Sequence, residues 1–178
     1  MCDVECCWIC LEDLSKFEAD SVRLTCCGQS LCRECAKRLM DDPTHRGKCG
    51  CCRVKAATTH KELYLRSMKH AKRGKAWAMW NIANYCLDGQ GAPQSDIMGR
   101  LWLEKASSLG HYSAMTQLSR IIFESEPERG LELLKNAAVG SRGAAILLSM
   151  MDDKDFGLDA LNLWPLGSVS CNKYNSIL

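Results

Sequence analysis

Residues 24–35 read Leu24-Thr25-Cys26-Cys27-Gly28-Gln29-Ser30-Leu31-Cys32-Arg33-Glu34-Cys35, and this stretch decides the fold of the first third of the chain. Two further cysteine pairs flank it, Cys7-Trp8-Ile9-Cys10 and Cys49-Gly50-Cys51-Cys52. With the doublet Cys26-Cys27 and the pair Cys32 and Cys35 inside the stretch itself, these pairs supply eight thiolates, which is enough for two closed tetrahedral metal sites. A site closed by four thiolates leaves no position for a substrate, so we expect a structural metal.

Eleven of the thirteen cysteines lie in the first 52 residues, which also suits a small secreted disulfide scaffold. That alternative needs a signal peptide, but residues 1–5 are acidic and no apolar segment follows them. The cysteine count is odd, and reducing compartments favour metal over disulfides. We therefore expect zinc and an intracellular protein, cytoplasmic or nuclear. The chain has no run of 18 apolar residues, so the sequence does not predict a membrane span.

The need for metal follows from the size of the cysteine-rich segment. About fifty residues bury too little apolar surface for a secure fold. Structural zinc contributes on the order of 10–16 kcal/mol of apparent binding energy, which acts as folding energy. We therefore expect this segment to unfold without metal.

The three stretches, residues 7–11, 24–35 and 49–53, resemble a RING finger in a variant with eight cysteines. The resemblance implies a small zinc-stabilised α+β module at residues 1–56. RING pairs alternate between two metals, which implies one zinc on Cys7, Cys10, Cys32 and Cys35. The second zinc would then bind Cys26, Cys27, Cys49 and Cys52.

The second ligand pair differs from most RING fingers, which have a histidine near Gln29. If Cys26 and Cys27 are both ligands, the backbone must turn sharply, and Gly28 permits such a turn. Cys2, Cys6 and Cys51 remain as additional thiols. Either Cys6 or Cys51 is an alternative position for the neighbouring ligand.

The RING resemblance also implies a docking surface for a ubiquitin-conjugating enzyme. Ile9 matches the aliphatic contact in the first knuckle, and Arg53 matches the arginine that braces the enzyme–ubiquitin conjugate. Such a ligase positions the thioester and forms no covalent intermediate of its own. The alternative is that Ile9 only packs the knuckle and Arg53 is a solvated charge.

Two departures favour a zinc-stabilised adaptor without ligase activity. Active RING fingers usually have a proline where this chain has Gly50. Many also have a tryptophan between the third and fourth pairs, but residues 36–48 contain none. Leu39 or Pro43 is the candidate replacement for that apolar contact.

Beyond residue 56 the chain has helix-forming residues and a repeat. After a linker and connecting helix at residues 57–73, a glycine, an alanine and an aliphatic residue recur at steps of 36 and 30 residues: Gly74, Ala78 and Ile82; Gly110, Ala114 and Leu118; Gly140, Ala144 and Leu148. This spacing predicts an all-α helix-pair solenoid. Each unit has a turn between its helices, at residues 89–93, 124–127 and 152–155. Ser125 with Glu128 predicts a capping box, and Pro127 fits a first helical turn.

Residues 89–96 and 101–111 resemble Sel-like repeats, which belong to the tetratricopeptide-related solenoids and mediate protein–protein contacts. The resemblance implies about three repeats over residues 74–164, the last two degenerate, and a flexible tail at residues 165–178. It also implies a protein substrate bound to the helices.

The remaining residues suggest no further chemistry. We expect Trp77, Trp80 and Trp102 to pack between helices, because their spacing is helical. The histidines 60, 70 and 111 have no ligand spacing, so we expect them at the surface. Residues 33–75 carry thirteen Lys or Arg against four Asp or Glu, but no nucleic-acid-binding motif accompanies them, which does not favour nucleic acid as a partner. The chain lacks the motifs of serine hydrolases, P-loop enzymes and zinc proteases.

Overall fold

The structure is a computed structural model that describes residues 6–14, 21–45 and 47–152. Within these residues the protein is mostly helical, with seven α-helices and one two-stranded sheet. One helix and the sheet lie in the cysteine-rich segment. The other six helices follow one another without an intervening strand, as the repeat pattern predicts.

The cysteine-rich segment is built around a short hairpin. Strands β1 (Ser21–Arg23) and β2 (Ser30–Cys32) pair antiparallel, with Val22 opposite Leu31. Helix α1 (Arg33–Asp41) follows β2 directly, and a single 3-10 turn spans Pro43–His45. Among the described residues of this segment, six form the buried core cluster, and three of them are cysteines: Cys7, Leu24, Leu31, Cys35, Ala36 and Cys49. The described residues therefore bury little apolar surface in this segment.

The second region is a stack in which each helix packs against the next. Its helices are α2 (His60–Ala71), α3 (Ala76–Asp88), α4 (Asp96–Ser108), α5 (Tyr112–Ile122), α6 (Pro127–Ala138) and α7 (Arg142–Asp152). This is the helix-pair arrangement that the sequence predicts. The glycine turn at residues 89–93 packs closely on the start of α2. Gly91 lies so near the backbone of His60 that a β-carbon there would overlap it.

The repeated small residues are buried within the helical stack. Ala78, Ala114 and Ala144 have no exposed surface, and Ile82 and Leu118 are buried beside the first two. In the third unit Leu147 is the buried leucine, whereas Leu148 is only partly buried. The repeat pattern is therefore confirmed for two units and shifted by one residue in the third.

Most helix starts follow from the sequence. The Thr59 and Ser95 hydroxyls accept hydrogen bonds from the third residue of α2 and α4, and Pro127 begins α6. The predicted capping box of Ser125 and Glu128 is wrong. The hydroxyl of Ser125 instead donates to the carbonyl of Ile122 at 3.1 Å, because this serine still belongs to the turn that ends α5.

Trp80 and Trp102 pack against the buried cluster formed by α3, α4 and α5, as expected. The turn predicted at residues 152–155 begins at the last described residue, and the second helix of the third repeat and the tail at residues 165–178 lie outside the described residues. None of the described helices combines the length and the apolar character that a membrane crossing requires.

Candidate metal sites

The first and fourth cysteine pairs form two turns of the same geometry. In the first turn the Leu11 amide donates to the carbonyl of Cys7 at 2.9 Å, and the Cys7 amide donates to Glu12 at 2.9 Å. In the second, the Arg53 amide donates to Cys49 at 2.9 Å, and the Cys49 amide donates to Val54 at 2.8 Å. Each turn is closed by one isolated β-bridge, Cys6 with Asp13 and Lys48 with Lys55. The same backbone therefore presents two sulfurs at each site.

Both turns contain a residue in the left-handed region at the position after the second cysteine. Leu11 and Arg53 each have φ of 60°, although neither is glycine. A side chain in this conformation costs about 1–2 kcal/mol, because the β-carbon crowds the following carbonyl. Neither sequence motif predicts this strain.

The doublet Cys26-Cys27 forms a third turn of the same kind. The Gly28 amide donates to Leu24 at 2.7 Å, and the Leu24 amide donates to Gln29 at 2.9 Å. Gly28 has φ of 77°, the left-handed conformation that the sequence predicts for it. Leu24 is buried at the position where the other two turns have their first cysteine. Cys27 stands at the position of their second cysteine, so Cys26 supplies the other sulfur of this pair. Gln29 is exposed.

The third pair lies at the beginning of a helix. Cys32 is the last residue of β2 and caps α1, where its sulfur accepts a hydrogen bond from the Cys35 amide at 3.4 Å. A matching bond runs from the Cys52 amide to the Cys49 sulfur at 3.5 Å. Burial raises the pKa of Cys49, but hydrogen bonds, the largest of them from the Cys52 backbone, outweigh it and lower this pKa.

The four pairs converge in two groups. The sulfurs of Cys7, Cys10, Cys32 and Cys35 lie within 4.8 Å of one another, and so do those of Cys26, Cys27, Cys49 and Cys52. The first pair meets the third and the second meets the fourth, which are the groups that the sequence analysis expects. Each group can hold a metal ion.

The distances within the groups fit a tetrahedral metal. The sulfurs of Cys10 and Cys32 are 3.8 Å apart, and those of Cys26 and Cys52 are 3.5 Å apart. Four thiolates around one zinc place their sulfurs about 3.8 Å apart, whereas a disulfide holds them at about 2.05 Å. No disulfide joins any two cysteines of the described ranges.

The acidities of the thiols differ within each group. Burial raises the pKa of Cys7, but backbone hydrogen bonds from Cys10, Cys32 and Ile9 outweigh it and lower this pKa to about 6. Burial raises the pKa of Cys35 to about 12, and bonds to the neighbouring sulfurs add to this effect. The pKa of Cys26 is raised by burial and by Cys49. Four thiols this close cannot all ionise without a cation, and a divalent metal supplies the missing charge.

The additional thiols lie beside these groups and outside them. Cys6 is exposed, and its sulfur donates to Asp13 at 3.3 Å. Cys51 is partly buried, and burial raises its pKa to about 12. Neither sulfur belongs to a convergent group of four. Cys2 lies outside the described residues.

The two residues proposed to contact a conjugating enzyme lie at the tips of the two matching turns. Ile9 is 43% exposed, and Trp8 and Leu11 beside it are exposed too. Arg53 is exposed at the tip of the other turn. Gly50 lies against Leu39, whose side chain occupies the space that a β-carbon at position 50 would need.

One expectation about the surroundings of the second group is wrong. His70 is buried, with 9% of its surface exposed, because its imidazole packs between the Cys26-Cys27-Gly28 turn and Trp77. Burial lowers the pKa of His70, and hydrogen bonding to the backbone of Cys26 and Thr25 opposes this effect. No spacing rule predicts a contact between residues 42 positions apart in the chain.

Comparison with known proteins finds a similarity among solved structures. No family model and no curated protein matches the chain. Among solved structures, a Sel1 repeat protein from Oxalobacter formigenes matches with a TM-score of 0.50 and 19% identity over 57% of this chain. The match spans 44% of that protein. At this identity the similarity shows the fold alone, a Sel1-like helical repeat.

Proposed function

We propose that this protein is a RING-type ubiquitin ligase. Two zinc ions hold residues 1–56 in shape, residues 57–73 connect this module to the repeats, and residues 74–164 recruit a protein substrate. The observation that carries the proposal is the alternation of the two cysteine groups along the chain, first pair with third and second with fourth. The cross-braced RING module that the sequence resembles has the same alternation.

The proposed activity needs two surfaces on one rigid support. Ile9 offers an exposed apolar side chain to the conjugating enzyme. Arg53 offers a planar group that donates several hydrogen bonds, and it suits carbonyl acceptors on the enzyme and on ubiquitin together. Zinc supplies the rigidity that fixes these residues relative to each other. The chain contributes position and no nucleophile.

Autoubiquitination of the metal-loaded protein with a panel of conjugating enzymes tests the proposal. We expect chains with the wild type, and at least about a ten-fold loss of rate in Ile9→Ala and in Arg53→Ala, a difference of about 1.4 kcal/mol. Leu101→Ala is the matched control for Ile9, because Leu101 is equally exposed but lies on α4. Arg73→Ala controls for loss of an exposed arginine.

Two results would reject the ligase. One is the absence of chains with every enzyme in the panel, from protein that holds two zinc ions per chain. The other is an equal loss in the controls, which would locate the effect outside the proposed surface. In both cases binding of a labelled conjugating enzyme shows whether docking itself fails.

A second candidate is an adaptor that binds proteins without transferring ubiquitin. It is favoured by the contact of Gly50 with Leu39, because Leu39 occupies the space of the proline that active RING fingers usually have there. An adaptor would hold two zinc ions and bind a partner through the repeats, yet give no chains. Gly50→Pro combined with Leu39→Ala, which makes the space, would then gain activity if this position were limiting.

A further inference from the structure

The outer side of the Cys26-Cys27-Gly28 turn is covered by the helical region. A β-carbon on Gly28 would lie 3.1 Å from Cε1 of His70 and 3.5 Å from Cζ2 of Trp77. His70 comes from the end of α2 and Trp77 from the start of α3. Both rings therefore contact the turn that carries two cysteines of the second group, and a β-carbon at position 28 would require the His70 ring to shift by a few tenths of an ångström.

An arginine of the hairpin fixes the same contact from the other side. Arg23 at the end of β1 donates from Nη1 to the carbonyl of Gly28 at 3.4 Å. Its guanidinium carbon lies 5.6 Å from the centre of the Trp77 ring, within the range of a cation–π interaction. The rings of His70 and Trp77 are 5.0 Å apart. The glycine, arginine and two rings form one packed unit across the junction.

A second contact joins the other half of the group to α2. A cavity of about 20 Å³, room for one water, is lined by Cys26 and Cys49 together with Leu63 and Arg66 of α2. Arg66 donates from Nη2 to the carbonyl of Lys55 at 2.8 Å, just beyond the fourth cysteine pair. Helix α2 therefore supports both cysteine pairs of this group.

The first group is surrounded differently. Its buried cysteines share one core cluster with Leu24, Leu31, Ala36 and also Cys49 of the second group. The contacts with α2 and α3 described above fall on the turns of the second group. Both groups consist of four cysteines. The difference between them is that α2 and α3 contact the turns of the second group.

We propose that α2 and α3 complete the second metal site, so that a metal ion on Cys26, Cys27, Cys49 and Cys52 and the α2–α3 junction stabilise each other. Two groups from the junction, the imidazole of His70 and the indole of Trp77, act as positioning residues for the ligand turn, together with Arg23 from the hairpin. The proposal rests on metal binding by the cysteines and not on ubiquitin transfer. It couples the second metal site to the first two helices of the stack.

The first test follows metal loss at each group in the full-length, zinc-loaded chain. A chelator is added together with an alkylating agent, and mass spectrometry measures how fast each cysteine is modified. In His70→Ala we expect the second group to be modified about 10- to 100-fold faster, the loss typical of removing an outer-sphere partner. The first group should keep the wild-type rate. Trp77→Leu, which keeps an apolar side chain, should give the same selectivity.

A matched control separates this effect from general weakening of the helices. Leu134→Ala removes a fully buried side chain from α6, in a cluster that contains neither His70 nor Trp77. It should leave both modification rates unchanged. Equal acceleration of both groups by His70→Ala, or selective acceleration of the second group by Leu134→Ala, would overturn the proposal.

The reciprocal test starts from the metal. Hydrogen exchange is measured in Cys52→Ser and Cys10→Ser, each of which removes one ligand from one group. We expect the first variant to lose protection at residues 60–80 and the second to keep it. Equal protection of these residues in both variants would overturn the coupling. None of these readouts involves ubiquitin, so a failed ligase assay and a failed coupling are distinguishable.

Discussion

The cysteine-rich segment and the helical stack are held together by different means. In the described part of the first, three of the six residues in the buried core cluster are cysteines, whereas the stack buries alanine, leucine and isoleucine between successive helices. We therefore expect the first region to depend on a bound metal ion and the second on area removed from water. Because of this difference, we expect chelation to unfold mainly the cysteine-rich segment and core truncation to destabilise mainly the stack, although the two regions share one junction.

Metal removal should have the largest effect. Treatment of the loaded protein with a strong chelator should unfold residues 6–57, because about 10–16 kcal/mol of apparent binding energy is lost. Helices α4–α7 should keep their amide protection. Hydrogen exchange read by segment checks both statements. Protection of the cysteine-rich segment after complete metal removal would show that its small core suffices.

Removal of one ligand should halve the metal content. Cys10→Ser should reduce two zinc ions per chain to one, measured by native mass spectrometry. Cys6→Ser is the matched control, because Cys6 lies in the same turn but its sulfur belongs to neither group. A control protein that also loses one ion would mean that Cys6 is a ligand.

Truncation in the stack should reverse the pattern. Leu118→Ala should lower the free energy of unfolding of the repeats by about 2–5 kcal/mol, because Leu118 is fully buried between α5 and its neighbours. Both zinc ions should remain bound. Ile121→Ala in the same helix is the control, since that side chain is 36% exposed. Chemical denaturation followed by circular dichroism measures the difference.

The sequence predicts the groups of cysteines better than it predicts their surroundings. Ligand spacing is local, so the pairs 7 and 10, 32 and 35, and 49 and 52 can be recognised without knowledge of packing. The period of Gly, Ala and an aliphatic residue likewise predicts two helix pairs, because each close approach needs a small side chain. The third unit is less regular, and there the buried position moves to Leu147.

The contacts across the junction could not be predicted in this way. His70 has no partner within one helical turn that would indicate burial, and it is Trp77, seven residues later, that packs against it. The sequence predicts that Gly28 permits a sharp turn. Its contact with the rings of α2 and α3 cannot be predicted locally, because it depends on residues distant in the chain. Ser125 shows a different kind of error. Its spacing matches a capping box, but its hydroxyl donates to a carbonyl at the end of the preceding helix and is not used to cap the next one.

The smallest expected effect compares the two matching turns within the cysteine-rich segment. Leu11→Gly and Arg53→Gly both replace a side chain at φ of 60°. Each should stabilise the loaded protein by about 1 kcal/mol, because the left-handed strain exceeds the entropy that glycine adds to the unfolded chain. Thermal unfolding of the loaded protein measures the gain, and Trp8→Gly, at a residue outside the left-handed region, should give none.

The same pair separates the structural and the functional roles of Arg53. If Arg53 serves the proposed ligase, Arg53→Gly should raise stability while it lowers ubiquitin transfer, a combination that damage to the fold cannot produce. Leu11→Gly tests the backbone argument alone, since its side chain is 75% exposed and little packing is lost. If both variants lose stability, the side chains of these residues stabilise the two turns by more than the left-handed backbone strain costs. The matching backbone geometry would then not predict the stability of the turns.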